Sequence, residues 1–290
     1  MSRKFKILDK IENSLLNFDF FRNTRTINGQ KILRHGVNIE YSNFPIDAPP
    51  NLGDKLTPVV FEYLKKQYHL SDVNVKKPIH LNMIGSIIAF KNYDAIIWGS
   101  GLLNDSIIKR NYKHKRIPRY DIRAVRGPLT RNCLISYGYN CPDVFGDPAI
   151  LLPLFYNPSS IEKKYKISII KHYKDKSAIP NGFHEINIVT DDYKFVVDEI
   201  NASELVVSSS LHGLILAETY GIPTIWYKLE NKDIFKFMDW YLSIGVDNPA
   251  TTSDLSNLSL NKNINLKSRI NSLVEPLIKT FPFELWKIKK

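Results

Sequence analysis

The chain has 290 residues, 43% of them hydrophobic and 24% charged, which is enough apolar material for a sizeable core and too little polarity for extended disorder. Its 40 Lys and Arg against 29 Asp and Glu leave a formal net charge of +11. That balance suits anions, whether nucleic acid, an anionic membrane face or a phosphorylated small molecule. The two cysteines, Cys133 and Cys141, form no C-x-x-C pattern, so neither a disulfide framework nor a structural zinc site is indicated.

Along the chain, "MSRKFKILDKIENSLLNFDF" mixes charges into its apolar residues and lacks the uninterrupted apolar centre of a signal peptide. No later stretch approaches the ~20 apolar residues of a membrane-spanning helix. The expectation is a cytoplasmic protein. "NLGD", Asn51 to Asp54, reads as a turn and helix cap, with Asp54 accepting backbone N–H bonds. "HLNMIG" and "DAIIWGSG" read as strands. The glycine loop Gly99, Ser100, Gly101 follows the second, without the spacing of a dinucleotide or P-loop fingerprint. "PLTRNCLISYG" is a helix with Pro128 in its first turn and Gly138 past its end. The proline-bearing "GDPAILLPLFYNPSS", Gly146 to Ser160, reads as a junction.

The second half alternates more clearly. "KISII" and "HEINIVT" (His184 to Thr190) are β-branched runs, and Tyr193, Val196, Val197 and Ile200 then repeat at helical spacing. "ELVVSS", "LHGLILAETYG" and "IPTIWYK" give strand, helix and strand, with Gly221 ending the helix. Near the end, Ile270, Leu273, Val274, Leu277 and Ile278 share one helical face before Pro282. Strands separated by single helices predict parallel sheets with right-handed crossovers. The predicted fold is α/β with two Rossmann-like domains, 1–155 and 156–265, followed by a C-terminal helix and tail, 266–290.

"SSSLHGLILAETYGIP", Ser208 to Pro223, carries the most specific chemistry. A strand ending at Ser208 to Ser210 and a helix starting near His212 place that histidine at the carboxyl edge of a parallel sheet, where open α/β folds bind ligands. Unpaired N–H groups of the helix start and the three hydroxyls favour an anion there, and Gly213 leaves room for a ligand to approach the backbone. A phosphate or carboxylate bound beside His212 favours the imidazolium, the form a general acid requires. The alternative is a satisfied helix-start histidine.

That block, with "RAVRGPLTRNCLISYGYNCPDVFGDPAILLP" (Arg123 to Pro153) and "NLGDKLTPVVFEYL" (Asn51 to Leu64), resembles the polysaccharide pyruvyl transferase family, within it the exopolysaccharide ketal-pyruvate transferases of the xanthan and succinoglycan type. The resemblance implies transfer of an enolpyruvyl unit from phosphoenolpyruvate to a sugar of a bacterial surface polysaccharide, forming a cyclic pyruvate ketal. It also implies a fold similar to B-type glycosyltransferases, with residues 1–155 on the acceptor side and 156–265 on the donor side. Many family members carry arginine directly before the leucine-histidine pair, where this chain has Ser210.

Phosphoenolpyruvate carries about three negative charges, so its site needs cations or oriented donors. Arg126, Lys171 and His172 are the candidates beside Ser208, Ser209, Ser210, Leu211 and Gly213, with Asn51, Gly53, Asp54 and the Gly99, Ser100, Gly101 loop in substrate-binding roles on the other half. His212 and Arg126 are the candidate catalytic residues, and the general base stays open between Asp54 and Asp147. No cofactor and no metal site are expected. The expected partners are phosphoenolpyruvate and a saccharide acceptor, lipid-linked at the inner membrane face, with Lys109, Arg110, Lys113 and Lys115 available to anionic lipid. A nucleotide-sugar-dependent glycosyltransferase is the alternative; a nucleic-acid-binding module is disfavoured, because basic and aromatic residues do not interleave in one block. Trp226, Tyr227 and Trp240 read as core rather than as a sugar platform.

Overall fold

The β-branched runs pair as two parallel sheets in the computed structural model, which describes residues 24–27, 30–33, 52–71, 80–89, 93–112, 117–158, 161–229, 234–256, 258 and 265–288. In chain order, β1 (Thr24–Ile27) and β2 (Gln30–Leu33) form an antiparallel hairpin. Helix α1 (Leu52–Gln67), the short β3 (Leu70–Ser71) and three strands follow: β4 (His80–Asn82), β5 (Ala95–Trp98) and β6 (Tyr120–Ala124). They lie in the order β4-β5-β6, both pairings parallel. Helix α2 (Ser106–Tyr112) crosses between β5 and β6, and α3 (Pro128–Ser136) leaves β6. Pro128 opens α3, where its missing N–H has no helical acceptor to lose. Gly138 adopts φ +83 just past the end.

The second sheet has the order β11-β10-β9-β7-β8, with every neighbouring pair parallel. It is built from β7 (Tyr165–Ile170), β8 (His184–Glu185), α4 (Tyr193–Asn201), β9 (Ser203–Ser208), α5 (Leu211–Tyr220), β10 (Thr224–Tyr227), α6 (Ile234–Ser243) and β11 (Thr251–Thr252). Asp192 caps α4 by accepting from the Phe195 N–H at 3.1 Å. Gly221 ends α5 in the left-handed region, φ +81. The run "HEINIVT" yields less strand than its pattern predicts. Pairing stops at Glu185, and the Asn187 side chain accepts from the Val189 N–H at 2.8 Å. Such a local turn competes with the sheet ladder.

The C-terminal segment closes over the first sheet. Helix α7 (Lys267–Lys279) buries Ile270 and Leu277, and the Leu277 carbonyl accepts from Trp98 Nε1 at 2.9 Å. Strand β12 (Lys287–Ile288) pairs antiparallel with β3. The largest apolar cluster draws on both sheets, on α1, α5, α6 and α7, and on the 3-10 helix Pro148–Leu154. Gly146 to Ser160 reads as a junction in the sequence; in the fold, Ala149 to Leu152 lie fully inside this core. All ten residues of α5 are buried, as its lack of a polar face dictates. Among the described residues, no helix is long and apolar enough to cross a membrane.

Candidate active site

The site forms where α5 starts. Strand β9 ends at Ser208, and Ser210 holds an extended backbone (φ −102, ψ 130) before Leu211 begins the helix. His212 therefore sits in the first turn of α5, at the carboxyl edge of the second sheet. Gly53, in the first turn of α1, lies against its imidazole: a Cβ added there would come within 2.0 Å of His212 Nδ1. The Leu52 N–H donates to the Ile188 carbonyl at 3.2 Å, tying α1 to the loop after β8. Two helix N-termini thus converge on one histidine, and both favour negative charge.

A carboxylate faces the same ring. Asp147 Oδ1 accepts from the Ala149 N–H at 3.0 Å and caps the 3-10 helix, while Asp147 Oδ2 lies 3.5 Å from His212 Nε2. Asp147 has no exposed surface. Neither Oδ2 nor Nε2 has a hydrogen-bond partner, although both atoms are buried. A buried polar atom left in that condition costs about 1–3 kcal/mol, more if charged, so an arrangement that aims two of them at each other is one that closes readily. The sequence leaves the general base open between Asp54 and Asp147. The fold puts Asp147 beside His212.

The serines serve the scaffold. Ser208 Oγ has the Ile170 and Ser210 carbonyls, both at 2.9 Å, as acceptors for its single proton, and accepts from the Ser210 N–H at 3.0 Å. Ser209 Oγ donates to Asp175 Oδ2 at 2.6 Å and accepts from the His172 N–H at 3.0 Å. Ser210 occupies the cap position without a side-chain capping bond. Leu211 belongs to the apolar core. A Cβ on Gly213 would meet Ser208 Oγ at 2.5 Å and Ile170 Cγ2 at 2.8 Å. The glycine therefore lets α5 press on the strand. The side-chain oxygens of Ser208 and Ser209 thus have partners inside the fold, and Leu211 and Gly213 pack within it.

Arg126 lies in a buried network of its own. Its side chain is fully buried, with Nη2 3.0 Å from Asp239 Oδ2. Nε donates to Asp239 at 3.1 Å, Nη1 to Ser86 Oγ at 2.7 Å and Nη2 to the Leu102 carbonyl at 2.8 Å. Asp239 also accepts from Thr130 N and Oγ1, at 2.8 and 2.7 Å. The loop Gly99, Ser100, Gly101 wraps this pair. Ser100 Oγ donates to the Gly85 carbonyl at 2.8 Å, a Cβ on Gly101 would strike the Arg126 guanidinium at 2.4 Å, and one on Gly99 would strike Pro148 at 2.3 Å. Trp226 and Trp240 are core residues, at 3% and 0% exposure.

Lys171 and His172 do share an opening. With Tyr173, Asp175, Lys176 and Asn187 they line a cleft of about 270 Å³ beyond the carboxyl end of β7. Lys171 Nζ donates to the Ser177 carbonyl at 3.0 Å and lies 3.7 Å from Glu185. Burial pushes the Asp175 carboxyl up, but bonds from Ser209 and Ser177 and the Lys171 charge outweigh it, holding the group below the usual carboxylate range. The wall therefore carries Lys171 and Lys176 alongside Asp175 and Glu185. Asn51, Lys113, Lys115 and the side chains of Asp54 and Arg110 lie outside the described residues.

A parallel α/β framework thus brings a histidine and a carboxylate together where two helix N-termini meet. The chain matches the model of the polysaccharide pyruvyl transferase family over residues 31–231, more than half its length, and belongs to that family. It is 31% identical over 200 residues to uncharacterized protein L143 of Acanthamoeba polyphaga mimivirus, covering 63% of this chain and 67% of that one. It is 33% identical over 138 residues to the succinoglycan biosynthesis protein ExoV of Rhizobium meliloti, covering 44% of this chain and 42% of that one. A solved structure of a functionally uncharacterized Klebsiella pneumoniae protein aligns at 15% identity and a TM-score of 0.48, over 80% of this chain and 93% of its own.

Proposed function

We propose that the protein transfers an enolpyruvyl unit from phosphoenolpyruvate to a saccharide of a surface polysaccharide, or of its lipid-linked precursor, and closes it as a pyruvate ketal. The observation that carries this reading is His212 at the junction of two helix N-termini, facing the buried Asp147, in a chain of the pyruvyl transferase family. Protonation of the donor's methylene carbon by His212 leaves an oxocarbenium-like centre at the adjacent carbon, which one sugar hydroxyl attacks. The second hydroxyl then closes the ring as phosphate departs. Helix dipoles and the Lys171 and Lys176 ammonium groups favour the donor's phosphate and carboxylate.

In this reading the two sheets correspond to two Rossmann-like halves of a B-type arrangement, the first serving the acceptor and the second the donor. The positive net charge suits work on a lipid-linked substrate at an anionic membrane face. The test is thermal unfolding with millimolar phosphoenolpyruvate, compared with uridine and cytidine diphosphates. A ligand that binds only the folded chain raises the midpoint. A rise with phosphoenolpyruvate is expected; a rise with a nucleotide alone overturns the donor and makes the protein a nucleotide-sugar glycosyltransferase.

A further inference from the structure

The His212 ring has two nitrogens, and its surroundings treat them differently. Nε2 is buried and points at the unpartnered Asp147 Oδ2, 3.5 Å away. The side chain as a whole keeps 11% of its surface exposed, and that share lies elsewhere than Nε2. Gly53 backs the other edge. A Cβ there would lie 2.0 Å from Nδ1, 2.5 Å from Cε1 and 2.7 Å from Cγ. The carbons flanking Nδ1 are nearly as close as Nδ1 itself, so the added atom would stand over the ring face, out of line with the nitrogen's lone pair. Gly53 therefore acts as a flat support under the ring, and does not itself occupy the in-plane direction of Nδ1.

We infer that Asp147 is a positioning residue that holds the Nε2–H of His212, and that Nδ1 is the nitrogen that carries the transferred proton. The inference rests on the proton-donor reading of His212. The second nitrogen of an imidazole is set by the hydrogen bond of the first, so a carboxylate on Nε2 selects the tautomer in which Nδ1 is the free base. In the forward step the Nδ1–H bond of the imidazolium breaks and a C–H bond forms at the donor methylene, using the electron pair of its double bond. The positive charge passes from the ring to the adjacent carbon. The attacking sugar hydroxyl then returns a proton to Nδ1, and the proton of the second hydroxyl leaves with phosphate, so the ring ends as it began.

The decisive experiment records the ring nitrogens of the ¹⁵N-histidine-labelled protein near pH 8 without any substrate. Loss of one set of signals in His212→Gln assigns His212 among the seven histidines. The wild-type ring is expected as the Nε2–H tautomer, and Asp147→Asn, whose amide can present either an acceptor or a donor, is expected to lose that preference. A wild-type Nδ1–H tautomer, or ring signals unmoved by Asp147→Asn, overturns the inference. Should Asp147→Asn fold poorly, the wild-type spectrum alone decides. With phosphoenolpyruvate and acceptor, Asp147→Asn is expected to lower turnover by about 10²-fold or more while the donor-induced rise in unfolding temperature persists. Failure of phosphoenolpyruvate to bind removes the proposed reaction but leaves the tautomer result standing, so the two can fail separately.

Discussion

Asp239 accepts from Arg126 Nε at 3.1 Å, and the next residue, Trp240, donates from Nε1 to Glu218 at 2.7 Å. Two consecutive residues of α6 thus fasten that helix to the first sheet's loops on one side and to α5 on the other. Both bonds are buried, so the site's helix and the Arg126 loop share one support.

Breaking that support should be costly. Asp239→Ala strands the Arg126 guanidinium without its carboxylate, a loss of about 3–5 kcal/mol for a buried pair, read as a lower midpoint in denaturant or heat. Arg126→Lys keeps the charge but cannot reach Ser86, Leu102 and Asp239 together. It should lower the unfolding temperature while leaving the phosphoenolpyruvate-dependent rise intact. Loss of that rise in a folded Arg126→Lys protein would return Arg126 to the donor site.

Glu218 gives a pH signature. Burial pushes its carboxyl up to about 7, against the bonds from Thr224, Trp240 and Tyr241. A carboxyl whose folded value is raised binds protons more tightly in the native state, so its contribution to stability falls as pH climbs from about 4.5 to 7. Glu218→Gln should flatten that part of the profile, a change of up to about 3 kcal/mol. Equal slopes for the two proteins would show that Glu218 titrates alike in the folded and unfolded chain.

The two glycines of the site should separate stability from chemistry. Gly213→Ala places a methyl 2.5 Å from Ser208 Oγ, and relieving that overlap by lifting α5 off the sheet costs about 1–3 kcal/mol, with catalysis following the folded fraction. Gly53→Ala displaces the His212 ring directly. Its turnover should fall much further than its unfolding temperature, and equal losses for the two variants would deny Gly53 a special role.

At the cleft, Lys171→Ala and Lys176→Ala each remove a cation that faces the opening. Each should reduce the phosphoenolpyruvate-dependent rise in unfolding temperature, most strongly at low salt, where exposed charge counts for more. Titration of the rise against ligand concentration measures the effect. Undiminished affinity in the double variant would place the donor elsewhere.

Much of this architecture was legible in local pattern. The serine-to-histidine passage from β9 to α5, the proline-led start of α3 and the Gly221 stop are short-range signals, and each element stands close to where its spacing puts it. What was not legible is long-range. Arg126 and Asp239 are 113 positions apart, and nothing beside either residue announces the pair, so an arginine before a glycine and a proline reads as an anion ligand. Asp147 stands in a conspicuous "GDP", yet its closeness to His212 exists only once the 3-10 helix packs on α5. The missing side chains of Gly53 and Gly213 looked alike in sequence. Only packing shows that one supports a ring and the other seats a helix.

Helix α5 has no solvent side along its ten residues, and so short a segment is marginal as an isolated helix in water. It gains its stability only when β9 and β10, α4, α6, the 3-10 helix and the C-terminal helix are in place around it. Its amide protons should therefore exchange with solvent only in openings that dismantle the entire chain. Deuterium uptake at Leu214 to Tyr220 then serves as a built-in gauge of global integrity, and His212, riding on the same helix, keeps its position until the last cooperative event of unfolding.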